Sequence, residues 1–246
     1  MTATSPRTPR GVRIIAHRGV MQRAPQNTLQ AAREAIALGL DYVEVDLRTT
    51  ADGCLIDMHN DSVDATTNGS GLARELRYAE IRALDAGSWF AAEFKGAHVP
   101  LLGEVLALAK DRIGIYLDWK DAAAEPVVRL LQAFDMTRDV LVHADEETSR
   151  QVRALDASVP LMPGADGADE VRRLAATLCP EAVEVSWRWF SEEALSACHE
   201  AGMLCATSLA CDRGDTDEEM WRAVAAGVDL IETDDPERLL RVLESL

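Results

Sequence analysis

Ile14-Ile15-Ala16-His17-Arg18-Gly19 and, one helix later, Tyr42-Val43-Glu44-Val45-Asp46 are apolar runs that end in ionisable groups. The first belongs to a strand predicted over residues 12–16, the second to a strand over residues 42–47. Between them Asn27 or Thr28 can cap a helix with an apolar face of Leu29, Ala32, Ala35, Ile36 and Leu40, and Gly39 lies where a stop is expected. Alternation along the second strand turns Glu44 and Asp46 to one side and Val45 to the other. Two carboxylates aimed together repel unless a positive charge lies between them, and a divalent cation with oxygen ligands fits that place. His17 and, further on, His59 exchange protons near neutral pH. This inventory suits metal-assisted phosphoryl transfer or hydrolysis.

The strand–helix unit repeats outward from this stretch. Asp52-Gly53 reads as a hairpin-type turn leading into Cys54-Leu55-Ile56 and then Asp57-Met58-His59-Asn60. The rhythm then breaks over an insertion at about residues 59–100, which holds a helical patch near residues 76–84 and is too long for an ordinary connection. Beyond it, strands are predicted over residues 113–119, 139–142, 159–162, 182–187, 203–208 and 228–232, each followed by a helix, the last over residues 236–246. Eight strands alternating with helices imply a parallel sheet closed on itself: an α/β fold, a single (β/α)8 TIM barrel with a small insertion after strand two. The barrel domain is expected over residues 11–246, after a flexible tail of residues 1–10. In such barrels the chemistry sits at the C-terminal strand ends. There His17, Glu44, Asp46, Asp118 and Lys120 converge without having been selected for it.

Composition narrows the function. The formal charge of −17 repels nucleic acid and anionic lipid at long range, so an anionic substrate has to be drawn in locally by a metal, Arg18 or Lys120. No apolar run reaches the roughly 18 residues of a membrane span, and residues 1–10 lack the apolar core of a signal peptide. Cys54, Cys179, Cys198, Cys205 and Cys211 are odd in number, scattered and without CxxC spacing, which reads as reduced thiols. A cytoplasmic protein is expected, without integral membrane contact and with a small-molecule partner. Its oligomeric state is left open.

These residues carry a resemblance. His17-Arg18, Glu44-Val45-Asp46 and His59-Asn60 are similar to the His-Arg, Glu-x-Asp and His-Asp pattern of the glycerophosphodiester phosphodiesterase family. So are Ala24-Pro25-Gln26-Asn27-Thr28, Thr66-Thr67-Asn68-Gly69-Ser70-Gly71, Val99-Pro100-Leu101-Leu102-Gly103-Glu104 and the run from Gly227 to Pro236. The resemblance implies a TIM barrel that hydrolyses glycerophosphodiesters to glycerol 3-phosphate and an alcohol with one divalent cation, Ca²⁺ or Mg²⁺, with Mn²⁺ a further candidate. It implies Glu44, Asp46 and Asp118 as metal ligands, His17 and His59 as the acid/base pair, and Arg18 and Lys120 as phosphate contacts. Four positions depart from the family pattern: Gln26 for Glu, Asn60 for Asp, Asp118 for Glu, and Ala65 for Arg. Asn60 cannot orient His59 as a carboxylate would, and Asp61 is a candidate substitute.

The alternatives are a phosphodiester lyase that releases a cyclic phosphate, as in barrels resembling sphingomyelinase D, and a barrel that binds a phosphodiester without cleaving it. His98, His143 and His199 read as structural or exposed. Trp187 and Trp189 read equally as pocket lining or packing, and Glu184 as a minor candidate. Glu232 and Asp234 are expected behind the ligands. Trp89-Phe90 suits either a lid or a dimer contact.

Overall fold

The described residues begin at the barrel wall. The computed structural model describes residues 11–210 and 215–245; the expected tail at 1–10 and Cys211 lie outside the described residues. β1 (Arg13–Ala16) turns tightly into α1 (Leu29–Ala37), where the Thr28 hydroxyl accepts the Ala31 N–H. β2 (Tyr42–Thr49) pairs parallel with β1 and runs on past Asp46 into an antiparallel hairpin with β3 (Leu55–Asp57). The Asp52-Gly53 turn forms as expected, with Gly53 at φ +79°.

After the short α2 (Tyr78–Arg82) the alternation resumes. It runs through α3 (Leu102–Ala109), β4 (Gly114–Trp119), α4 (Ala124–Phe134), β5 (Val140–His143) and α5 (Glu146–Leu155). It continues with β6 (Gly164–Ala165), α6 (Ala168–Thr177), β7 (Ala182–Val185), α7 (Glu192–Glu200), β8 (Leu204–Ser208), α8 (Asp217–Ala226), β9 (Leu230–Thr233) and α9 (Pro236–Glu244). The spatial order β5-β4-β2-β1-β9-β8-β7-β6 brings first and last strands together, and a bridge from Val142 to Leu161 joins the two ends. Eight parallel strands thus form a nearly closed barrel with helices between them.

The period of two sorts the side chains. Val43, Val45 and Leu47 of β2 join Ile14, Ala16, Ile115 and Leu117 in the layer between sheet and helices. Ile15, Tyr116, Leu141, Met162, Ala182, Ala206 and Leu230 fill the barrel interior. Glu44 and Asp46 lie on the interior side of β2, towards its C-terminal end. The segment after β3 packs its own small core of Met58, Val63, Ala73, Ile81, Ala86 and Val99 against Ile56.

Most strand ends lie within two residues of the sequence reading, and two strands depart from it for a physical reason. The strand expected at residues 159–162 pairs regularly only at Gly164–Ala165. Pro160 and Pro163 have no N–H to give to a ladder and act as acceptors, from Val142 N and Glu184 N. The strand expected at residues 182–187 stops at Val185, and Trp187–Trp189 form one 3₁₀ turn.

Candidate active site

The turn after β1 builds one wall of the site. Arg18 and Gly19 both take positive φ, +55° and +83°. At Gly19 a Cβ would lie 2.6 Å from the Ala31 Cβ, so the turn needs glycine for space as well as for conformation. This turn directs the Arg18 N–H onto Glu44 Oε2 at 2.6 Å. Because β1 pairs with β9, Ala16 opposite Thr233, it also sets His17 beside Asp234, Nδ1 to Oδ1 2.6 Å.

Glu44 and Asp46 point into the barrel, and Asp118 of β4 is the register partner of Asp46. One carboxylate oxygen from each of the three lies within 4.8 Å of the others. Glu44 is 2 % exposed and Asp46 0 %. Burial, then the charges of Asp46, Glu232, Asp118 and Asp57, push the Glu44 carboxyl well above the carboxylate range. Burial also pushes Asp46 up, but Lys120 and the Asn27 hydrogen bond outweigh it and leave Asp46 below its ordinary value. Lys120 Nζ lies 3.0 Å from Asp46 Oδ1 and also meets Asp118. Such crowding of buried negative charge is what a cation relieves. An all-oxygen donor set that includes a destabilised Glu44 fits a divalent ion.

The other expected residues surround this centre. Arg18 donates to Gln26 Oε1 at 3.2 Å and holds its Nε 3.8 Å from Asp46, and that buried Nε makes no hydrogen bond among the described residues. His59 follows β3, with Nδ1 2.8 Å from Asn60 Oδ1. Asn60 itself therefore meets the ring, in the place for which Asp61 was a candidate. The two histidines sit in unlike surroundings. Burial lowers His17, but the Asp234 hydrogen bond and the Glu232 charge more than reverse this and its pKa is raised. Burial lowers His59 and nothing reverses it.

Two features escaped sequence reading, Asp57 with its Asn27 bridge and Arg48. Asp57 is 4 % exposed, and burial, then Asp46, push its carboxyl up to about 8. Asn27 Nδ2 bridges Asp46 Oδ2 at 2.9 Å and Asp57 Oδ1 at 2.7 Å, and Asp57 Oδ1 also accepts the Asp46 N–H. Asp57 stands two residues before His59, so alternation was a usable signal for it. Glu184 does enter the interior, where it accepts from the Tyr116 hydroxyl at 2.7 Å, and burial pushes Glu232 beside it up to about 7. Arg48 donates to the carbonyls of Met58 and His59 at 2.8–3.1 Å and pairs with Asp121 at 3.0 Å, and so fixes the backbone under His59. No local pattern marks that contact. His143 bonds the Met162 carbonyl, His98 faces Glu104, and His199 pairs with Asp229 on the surface.

A parallel barrel with carboxylates, cations and two histidines gathered at one mouth belongs to the class of barrels suited to metal-assisted phosphoryl transfer or hydrolysis. Comparison with known proteins narrows it. The model of the glycerophosphoryl diester phosphodiesterase family matches residues 17–238, and the chain belongs to that family. It is 30 % identical over 241 residues to a glycerophosphodiester phosphodiesterase from Caldanaerobacter subterraneus subsp. tengcongensis, covering 94 % of this chain and 97 % of that one. The crystal structure of glycerophosphodiester phosphodiesterase from Agrobacterium tumefaciens superposes with a TM-score of 0.85 at 30 % identity, over 94 % of this chain and 99 % of that one. The fold is shared as well with an Oleispira antarctica phosphodiesterase solved with its product sn-glycerol 3-phosphate, at 23 % identity and a TM-score of 0.85, over 94 % and 96 % of the two chains. Among the described residues no helix is long and apolar enough to cross a membrane.

Proposed function

We propose that this protein hydrolyses glycerophosphodiesters to glycerol 3-phosphate and an alcohol at the barrel mouth. The observation that carries this reading is the meeting of Glu44, Asp46 and Asp118 within 4.8 Å, with His17 as close to Glu44 and His59 within the field of Asp46. Those three carboxylates would hold one divalent ion, and their hard oxygen donors favour Ca²⁺ or Mg²⁺. A bound ion at such a site supplies Lewis-acid polarisation of a phosphoryl oxygen. Arg18 and Lys120 add positive charge where it builds up on the nonbridging oxygens.

The histidines take separate roles. His17 is the base: Asp234 fixes its Nδ1–H at 2.6 Å and steadies the imidazolium formed when Nε2 takes the nucleophile's proton. His59 is the acid: Asn60 Oδ1 holds Nδ1–H, and Nε2 gives a proton to the departing alcohol. The raised His17 pKa makes the stronger base, the lowered His59 pKa the stronger acid. The free thiols of Cys54, Cys179, Cys198 and Cys205 support a cytoplasmic setting.

The test is glycerol 3-phosphate release from a panel of glycerophosphodiesters with Ca²⁺, Mg²⁺ or EDTA. Metal-dependent release, reduced roughly 10²–10⁴-fold in His17→Ala, is expected. A cyclic phosphate as the final product would make the enzyme a lyase instead. Absence of cleavage with every cation would overturn the reading.

A further inference from the structure

A cavity of about 630 Å³ opens beside His59, on the side of the site formed by the ends of β2 and β3. We infer that this cavity receives the departing alcohol and that its preferred occupant is an uncharged, hydroxyl-rich alcohol, a polyol. The inference rests on the reading above, in which His59 protonates the leaving oxygen.

Location comes first. The group that protonates a leaving alcohol has to border the space that alcohol occupies. His59 is in the wall of this cavity. A second cavity, of about 380 Å³, lies on the far side of Asp118 between α5 and α6, and neither His17 nor His59 lines it. His17 is 8 % exposed and pinned by Asp234, whereas His59 is half-buried.

The walls then set the chemistry. Arg48 and Arg74 face Asp61 and Asp121, so the formal charges cancel, and the rest of the lining is His59, Asn60 and two threonines. Among the described residues no aromatic or aliphatic side chain lines it, so a quaternary ammonium finds no ring face and an alkyl chain no apolar wall. Donors are available. Asn60 spends its carbonyl on His59, which leaves the amide NH₂, where the family pattern has a carboxylate. Arg74 is 64 % exposed and pairs only loosely with Glu75, at 3.9 Å. The frame is firm, since Arg48 and Asp121 lock to each other and Asp121 accepts the Thr49 N–H at 2.8 Å. Fixed donors and acceptors without net charge select hydroxyls, and a cavity built to hydrogen-bond rejects an analogue that leaves its groups unpaired.

The test compares kcat/KM for glycerophosphoglycerol and glycerophosphoinositol with that for glycerophosphoethanolamine and glycerophosphocholine, in the wild type, Arg74→Ala and Arg74→Glu. A wild-type preference for the polyol esters of at least tenfold is expected. Arg74→Ala should reduce that preference severalfold. Arg74→Glu, which makes the cavity net acidic, should raise the ethanolamine ester relative to both polyol esters. Arg74 is exposed, so neither change disturbs the core, and a reversal of preference is not something a folding defect produces. Equal or better cleavage of the choline ester by the wild type, or unchanged ratios in Arg74→Glu, would overturn the inference and leave the hydrolase reading standing. Failure to cleave any of the four esters, or bis(4-nitrophenyl) phosphate, overturns the hydrolase reading and this inference with it.

Discussion

Asp234 shows how one side chain sets the working pH. Its carboxylate and the Glu232 charge together outweigh burial and raise His17. In Asp234→Asn burial prevails, so the His17 pKa falls, and the limb of the kcat/KM profile that His17 sets should move to lower pH with a roughly tenfold or greater loss of rate. A pH profile of variant and wild type checks this, and a profile in which neither limb moves would remove His17 from the proton chemistry. Asn27 acts one step further back. With both Nδ2 hydrogens engaged between Asp46 and Asp57, it fixes the orientation of an expected metal ligand. Asn27→Ala should weaken divalent-cation binding by roughly 10–100-fold, measured by titration calorimetry. Unchanged affinity would mean that Asp46 needs no such support. At this scale the sequence named His17 and Asp46 and placed Asp234 behind the site, but did not show that Asp234 meets His17 or that Asn27 meets Asp46.

The hairpin and the segment after it form the element on which His59 depends. β3 pairs with β2 from Leu47 to Thr49, and the small core of Ile56, Met58, Val63 and Ile81 anchors the chain beyond β3. Asp85 ties the far end of this segment together. It accepts from the backbone N–H groups of Gly87, Ser88 and Gly96 and from the Ser88 hydroxyl. Those donors, that of Ser88 first, hold its pKa far below the usual carboxylate value. A depressed carboxylate contributes stability that is present above the unfolded pKa of about 4 and is lost as pH falls through the folded value. Hydrogen exchange at residues 86–97 should therefore quicken at the acid extreme before the barrel strands respond, and Asp85→Asn should show the faster exchange already at neutral pH. Equal exchange in variant and wild type would show that the segment is held by its apolar core alone. The sequence marked this segment as an insertion with one helical patch. It held no sign of the Asp85 hub, because hydrogen bonds from a side chain to loop amides leave no periodicity.

The whole molecule concentrates negative charge at one mouth. In the absence of a cation, burial keeps Asp57 at about 8 and Glu232 at about 7, both above their unfolded values. The folded state therefore binds more protons than the unfolded chain, and stability is lost as pH rises through these values. In EDTA the Tm should fall as pH rises from about 4 to about 8. Added Ca²⁺ or Mg²⁺ should raise it, by about 2.7 kcal/mol of stability at a hundredfold excess over Kd. A Tm indifferent to both chelator and cation would argue against any ion at Glu44, Asp46 and Asp118.

The sequence by itself determined the alternation of strands and helices, the direction in which Glu44, Asp46 and Asp118 point, and the gathering of His17 and Lys120 at the same strand ends. Those properties arise from local periodicity and from the parallel connection that each helix enforces. Only the tertiary structure decided that Asp234 serves His17, that Asn27 joins Asp46 to Asp57, that Glu184 reaches Tyr116, and that Arg48 supports His59. His17 and Asp234 are 217 residues apart, and their contact exists because β1 closes on β9. Closure of the barrel brings distant strand ends into register, and no pattern confined to neighbouring residues encodes which side chains then meet.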